Sequence, residues 1–262
     1  MNRYLSTVGL YARWNLYKIL TIILITALAA GFLVYRYPIG TVVLDENYVS
    51  AETGETTQLV ASYPKLEGVV SGSGAPAVCA AGFAAIVAVM SLTGCGYGVK
   101  TEYTIRRLRV KERQAVLLWA AYHAVLLVIY WAALAAVLYG VMHLRLQMEV
   151  PVDYFVYTYG PQSMLLLCYT DTFLHHLLPL RDVAAWGVGI ASVLAAALST
   201  VLFSYRQRRG SFSVMVLLAL AGTIGSFFCG LGENANALLM VLLLGVAGAA
   251  FVMLIGGDKD AA

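Results

Sequence analysis

Pro161-Gln-Ser-Met-Leu-Leu-Leu-Cys-Tyr-Thr-Asp-Thr-Phe-Leu-His-His-Leu-Leu-Pro179 decides the topology of this chain. If the stretch crosses a membrane, everything after it changes sides. It is apolar enough to invite that reading, but it is short and bounded by prolines. It also carries Asp171, His175 and His176. A bilayer core takes about 20 predominantly apolar residues per helix, and ionisable groups inside it are expensive. Charge decides the matter. The next apolar run, Val183–Tyr205, is followed by Arg206, Arg208 and Arg209. A crossing at Pro161–Pro179 would move that cluster outside, against the bias of Lys and Arg toward cytoplasmic loops. The stretch therefore reads as a re-entrant or interfacial helix on the outer side.

Six runs remain as candidate spans: Leu16–Tyr35, Pro76–Val99, Gln114–His143, Val183–Tyr205, Phe212–Leu231 and Ala235–Ile255. The third is longer than one bilayer requires, so it should tilt or project. Of the 262 residues 61% are hydrophobic and 12% charged, against about a quarter charged in a soluble domain. The expected fold is all-α: one polytopic bundle of six transmembrane helices over residues 1–262, with the outer helical segment beside it. No small-x-small cleavage site follows the first run, so it reads as a span and not as a cleaved leader.

With both termini cytoplasmic, 13 basic residues lie inside and 4 (Arg36, Lys65, Arg145, Arg181) lie outside, accounting for all 17. The reversed orientation inverts that bias. The expected site is therefore the plasma membrane, multi-pass. Residues Met1, Tyr4, Leu5, Val8, Tyr11 and Ala12 share one helical face, which fits a surface helix or an extension of the first span. Outer segments are Arg36–Ala75 and Leu144–Asp182. In the first, Val42-Val43-Leu44 and Gln58-Leu59-Val60 read as short strands.

Little in the chain suggests chemistry. The four cysteines form no CxxC pair and read as small buried hydrophobes. His175 and His176 are adjacent, about 100° apart on a helix, and do not converge on one metal. Asp171 and His175 share a helical face at i, i+4. A surface polar pair is the expected reading, ahead of a catalytic dyad. His123, in the third run, reads as a satisfied packing residue. Gly94/Gly98 and Gly245/Ala249 have small-xxx-small spacing, for packing within the chain or between copies. The spans carry almost no charge, which argues against an ion-coupled carrier and fits an apolar or amphipathic substrate. No cofactor, metal or nucleic-acid partner is indicated.

The strongest local feature is Lys100-Thr-Glu-Tyr-Thr-Ile-Arg-Arg-Leu-Arg-Val-Lys-Glu-Arg113, between the second and third runs. It holds six of the 13 inner charges. Ile105 and Leu108 stand at i, i+3, so one apolar edge is available for docking. From spacing alone, a plain positive-inside anchor on anionic lipid is the better explanation of the charges.

Thr101–Arg113 resembles the cytoplasmic loop of ABC-2-type transporter permeases, in which an aromatic-Thr-Leu/Ile-Arg-Arg-Leu pattern follows the second span. Gly160–Leu180 is similar to an outer segment of small bacterial permeases of that kind. The resemblance implies that the loop is a coupling helix seated in a separate ATPase subunit. Its contacts would be Tyr103, Ile105, Arg106, Arg107, Leu108 and Arg109. Lys111-Glu112-Arg113 departs from the proline or small residue often found there. The chain has no G-x-x-x-x-G-K-[ST] loop of its own, so ATP hydrolysis falls to a partner, and the chain itself is not an enzyme. The resemblance further implies pairing with a second permease copy or paralogue, and export. The rival reading is a non-transporting sensor or scaffold acting through its outer segments.

Overall fold

A computed structural model describes residues 2–38, 40–49, 56–65, 67–93, 112–147, 150–152, 155–157, 162–180, 182–208, 210–228 and 233–256. The order is α1 (Asn2–Arg36), β1 (Gly40–Val49), β2 (Thr56–Lys65), α2 (Val69–Gly72), α3 (Ala75–Thr93) and α4 (Glu112–Leu146). Then come β3 (Val150–Val152), β4 (Phe155–Tyr157), α5 (Ser163–Thr170), α6 (Thr172–Leu177), α7 (Val183–Arg208), α8 (Met215–Phe228) and α9 (Glu233–Gly256).

Among the described residues five stretches are long and apolar enough to cross a membrane: Asn15–Arg36, Ala75–Thr93, Gln114–Leu146, Val183–Arg208 and Asn234–Gly256. The chain is thus a multi-pass helical membrane protein. Of the expected sixth span, Phe212–Leu231, the described residues form the 14-residue apolar helix α8, about 21 Å of helix at 1.5 Å per residue. A hydrocarbon core is about 30 Å thick. The turn before it sets where α8 starts. Gly210, at φ 75°, donates to Gln207 O, and Ser211 donates to Arg206 O. That is a Schellman stop, and it leaves Phe212 and Ser213 outside any helix.

Helix α1 is one unbroken helix of 35 residues, about 52 Å long. Its first fifteen residues therefore extend the first span and form no separate surface helix. A stripe of Ile19, Ile23, Ala27, Ala30 and Val34 is buried against α3 and α4. Leu20, Leu24, Leu28 and Phe32 on the other face are exposed, as suits helices whose solvent is lipid. Packing is closest where side chains are small. A Cβ at Gly31 would lie 2.9 Å from Val137 of α4. One at Gly82 would overlap Thr26 of α1.

Helix α7 is the hub, in contact with α3, α4, α8 and α9. Buried Ala191, Ser192, Ala195, Ala196 and Ser199 keep its girth small enough for neighbours on several sides. By contrast, Gly245 on α9 is exposed and its Cβ would meet nothing, so packing within the chain does not explain it. Gly94 and Gly98 lie outside the described residues.

Polar contacts define two ends. At one, Arg145 of α4 donates to Val34 O of α1 at 2.8 Å and also to Tyr37 O, an arginine closing a helix C-terminus. Residues α2, α5 and α6 lie at this end, joined through Asp171. At the other, Thr93 meets Asn15 at 2.6 Å, and Ser204 donates to Ser91 O at 2.7 Å. Within 162–180 the structure has two short helices, α5 and α6, broken at Asp171.

The first outer segment holds a longer hairpin than the expected strands. Strands β1 and β2 pair antiparallel over ten residues each, with Val43 opposite Ser62 and Glu46 opposite Leu59. A second, unexpected hairpin pairs Val150 with Tyr157 and Val152 with Phe155.

Candidate functional site

The expected coupling residues Tyr103, Ile105, Arg106, Arg107, Leu108 and Arg109 lie outside the described residues. The described polar features sit at the two ends of the bundle and inside it.

Asp171 is fully buried and is no surface partner of His175. It stands at the break between α5 and α6 and caps two helices at once. Oδ1 accepts from Phe173 N and Leu174 N, both at 3.1 Å, closing the start of its own helix α6. Oδ2 accepts from Val70 N at 2.8 Å and Ser71 N at 2.9 Å, the first free donors of α2. Ser71 Oγ adds a contact at 3.3 Å. These are the orphan amides of two helix N-termini, which favour a carboxylate. The loop before α3 is thereby tied to the outer helix pair, about 100 residues away in the chain. With both oxygens occupied, no lone pair remains to orient a catalytic His175. That imidazole instead lies 3.7 Å from Asp182, whose Oδ1 caps α7 at Ala184 N and Ala185 N. Neighbouring Cys168 is buried, and burial, then the Asp171 charge, push its thiol pKa up.

A groove of about 390 Å³ opens between α4, α6 and α7 on the outward face of the bundle. Ala124, Val128 and Trp131 form one wall, and Trp186, Gly189, Ile190 and Val193 the other. His176, Leu177 and Pro179 close its end. Behind it, sharing Trp131, His176, Leu177 and Gly189, lies a much smaller cavity of about 10 Å³. Phe227 backs that cavity, with its ring edge-on to Trp131 at 5.2 Å and to Phe173 at 5.7 Å.

Within the spans, His123 is buried, and its Nδ1 is 2.9 Å from Thr200 Oγ1. Thr200 gives its own proton to Ala197 O. It therefore accepts from His123, which fixes the Nδ1–H tautomer. Nε2 has no partner, so His123 is half satisfied and not the fully satisfied residue expected. Asp171 is the one charged side chain buried among the described residues, and it lies outside the spans. Cys79 and Cys168 are free and buried. Among the described residues no cluster of three or more His, Cys, Asp or Glu could hold a metal.

No family model matches this chain, and no curated protein or solved structure does either. A functional reading must therefore rest on the residues themselves.

The double cap and the groove were missed in the sequence. One signal for the caps was there: Asp171 and Asp182 each stand directly before an apolar helical run, the N-cap position. The groove had none, because its walls meet only through the packing of α4 on α7.

Proposed function

We propose that this chain is the membrane-spanning permease subunit of an ATP-driven ABC-2-type transporter, exporting an apolar or amphipathic substrate. The loop 100–113 carries the proposal. It is a basic, aromatic-led Tyr103-Thr-Ile-Arg-Arg-Leu108 segment between two spans, with six cations in fourteen residues. The charge-poor interior supports it, since a carrier coupled to protons or sodium needs ionisable groups at depth. The energy then comes from a partner ATPase docked on Tyr103, Ile105, Arg106, Arg107, Leu108 and Arg109.

The proposed topology has six crossings with both termini cytoplasmic. The sixth is α8. It starts beyond Arg208, and Phe227 near its far end packs on Phe173 of α6, at the opposite end of the bundle from Ser204. The unpaired outward face of α9, with exposed Gly245, is where a second copy or paralogue would seat. Residues 161–179 form a re-entrant or interfacial cap on the outer side, and the plasma membrane is the site.

The test is extraction in mild detergent. An ATPase with its own phosphate loop should co-purify, and Arg106→Glu with Arg107→Glu should release it without unfolding the chain. If no ATP-hydrolysing subunit accompanies the wild-type protein, the permease reading fails. The β1–β2 hairpin, with two open edges for strand pairing, would then favour a scaffold or sensor acting through the outer segments.

A further inference from the structure

We infer that the groove between α4, α6 and α7 binds the chain of a neutral amphiphile, whose hydrogen-bond-accepting oxygen is held by Trp131 and Ser192 in the small cavity behind it. The volume of about 390 Å³ lies within the range of ligand sites, roughly 300–1,000 Å³. The groove opens where Val128, Trp186 and Ile190 are all more than half exposed, so in a bilayer its mouth faces hydrocarbon. Among the described residues no Lys, Arg, Asp or Glu lines it, which disfavours a charged head group.

The polar end is set by two buried groups. Ser192 is 1% exposed, and its Oγ has no hydrogen-bond partner. Other buried hydroxyls of α7 behave differently. Ser199 Oγ donates to Ala196 O, Thr200 to Ala197 O, and Ser204 to Thr200 O or Ser91 O. The indole Nε1–H of Trp131, which lines both spaces, is likewise buried and unpartnered. Buried polar groups are ordinarily satisfied, and an exception asks for a reason. A ligand oxygen supplies one: it accepts from the indole and from the serine hydroxyl. The cavity's roughly 10 Å³ suits one small polar atom and not a whole head group. An ester carbonyl or alcohol oxygen therefore enters, and its chain trails into the groove.

A second groove of about 390 Å³, lined by Tyr139, Met164, Leu165 and Leu178, is an internal control. None of its lining residues has a buried N or O without a partner.

The inference is independent of the ATP-driven reading, because the purified chain alone tests it. The full-length protein in phosphatidylcholine nanodiscs is exposed to a monoacylglycerol with a photoreactive diazirine in its chain. Cross-links should concentrate on peptides containing Val128 and Ile190, above those containing Tyr139 and Leu165. Unlabelled monoacylglycerol should compete about five- to tenfold better than an alkane of equal length, the discrimination of a buried hydrogen bond. A Cβ at Gly189 meets nothing within 4 Å, so Gly189→Leu should fill the groove and cut labelling at Ile190 at least tenfold. Ser192→Ala, a small deletion that keeps the fold, should erase most of the preference over alkane. Labelling spread evenly over α1 and α9 would overturn the site. So would undiminished labelling in folded Gly189→Leu, or equal competition by alkane in wild type and Ser192→Ala.

Discussion

Asp171 shows how one side chain can decide the packing of segments far apart in sequence. Its two oxygens serve four backbone donors on two helices. Asn has nearly the same shape but one acceptor only, so its NH2 must face one of the two helix starts. Asp171→Asn should therefore be nearly as damaging as Asp171→Ala. Each should cost about 1–3 kcal/mol for the buried donors left unpaired, seen as a lower unfolding midpoint in detergent. His175→Ala, which loses the 3.7 Å pair with Asp182 and the ring contact with Tyr169 at 5.7 Å, should cost about 1 kcal/mol or less. Equal effects of the two variants would refute the double cap. Cys168 tests the same spot by its chemistry. A raised thiol pKa means less thiolate at a given pH, and the thiolate is what reacts. Maleimide labelling of Cys168 in folded protein should stay slow at pH 8 and rise only at higher pH than for a free thiol. At this scale the sequence displayed the residue and hid its partners. Asp171 was visible as an acid four residues before His175. Nothing in the order of residues showed Val70 or Ser71 coming to meet it.

Elements were read more securely than residues, for a physical reason. A span announces itself by about 20 apolar residues in sequence, so Leu16–Tyr35 became Asn15–Arg36 and Val183–Tyr205 became Val183–Arg208 almost unchanged. The start of the run Phe212–Leu231 was misplaced for the same reason. Hydropathy does not register the stop at Gly210, so three non-helical residues were counted as span. Helix contacts were legible only as small residues, without their partners. The structure separates two glycines that look alike in sequence. A Cβ at Gly82 would strike three side-chain atoms of Thr26, a β-branched residue stiff about χ1. A Cβ at Gly187 would strike the end of Met240, which is flexible and moves at little cost. Gly82→Ala should therefore lower stability by about 1–3 kcal/mol and loosen α1 from α3. Gly187→Ala should be tolerated, since it also removes a helical glycine. Thermal unfolding of the two variants side by side checks the ranking, and a Gly187→Ala loss equal to that of Gly82→Ala would contradict it.

For the whole molecule, the decisive quantity is the side on which each end of the bundle lies. Internal contacts group the ends without a membrane: Arg145 with Val34 at one, Ser204 with Ser91 at the other. The proposed orientation rests on charge. Arg206 and Arg208 close α7 at the Ser204 end, and in sequence the basic stretch 100–113 lies between α3 and α4. The segments expected on the outer side carry only Arg36, Lys65, Arg145 and Arg181 as basic residues in the sequence. Translocating the Ser204 end would carry most of the chain's cations across the bilayer, the arrangement that Lys/Arg bias selects against. A single cysteine placed at Thr56, at the start of β2, in a background lacking the four native ones, should react with an impermeant maleimide on intact cells. One placed at exposed Ser211 should react only after the membrane is opened. Were Pro161–Pro179 a full crossing, Thr56 would still react from outside and Ser211 would join it. The Ser211 label therefore discriminates between the two topologies, and it does so through the turn that also sets where α8 starts.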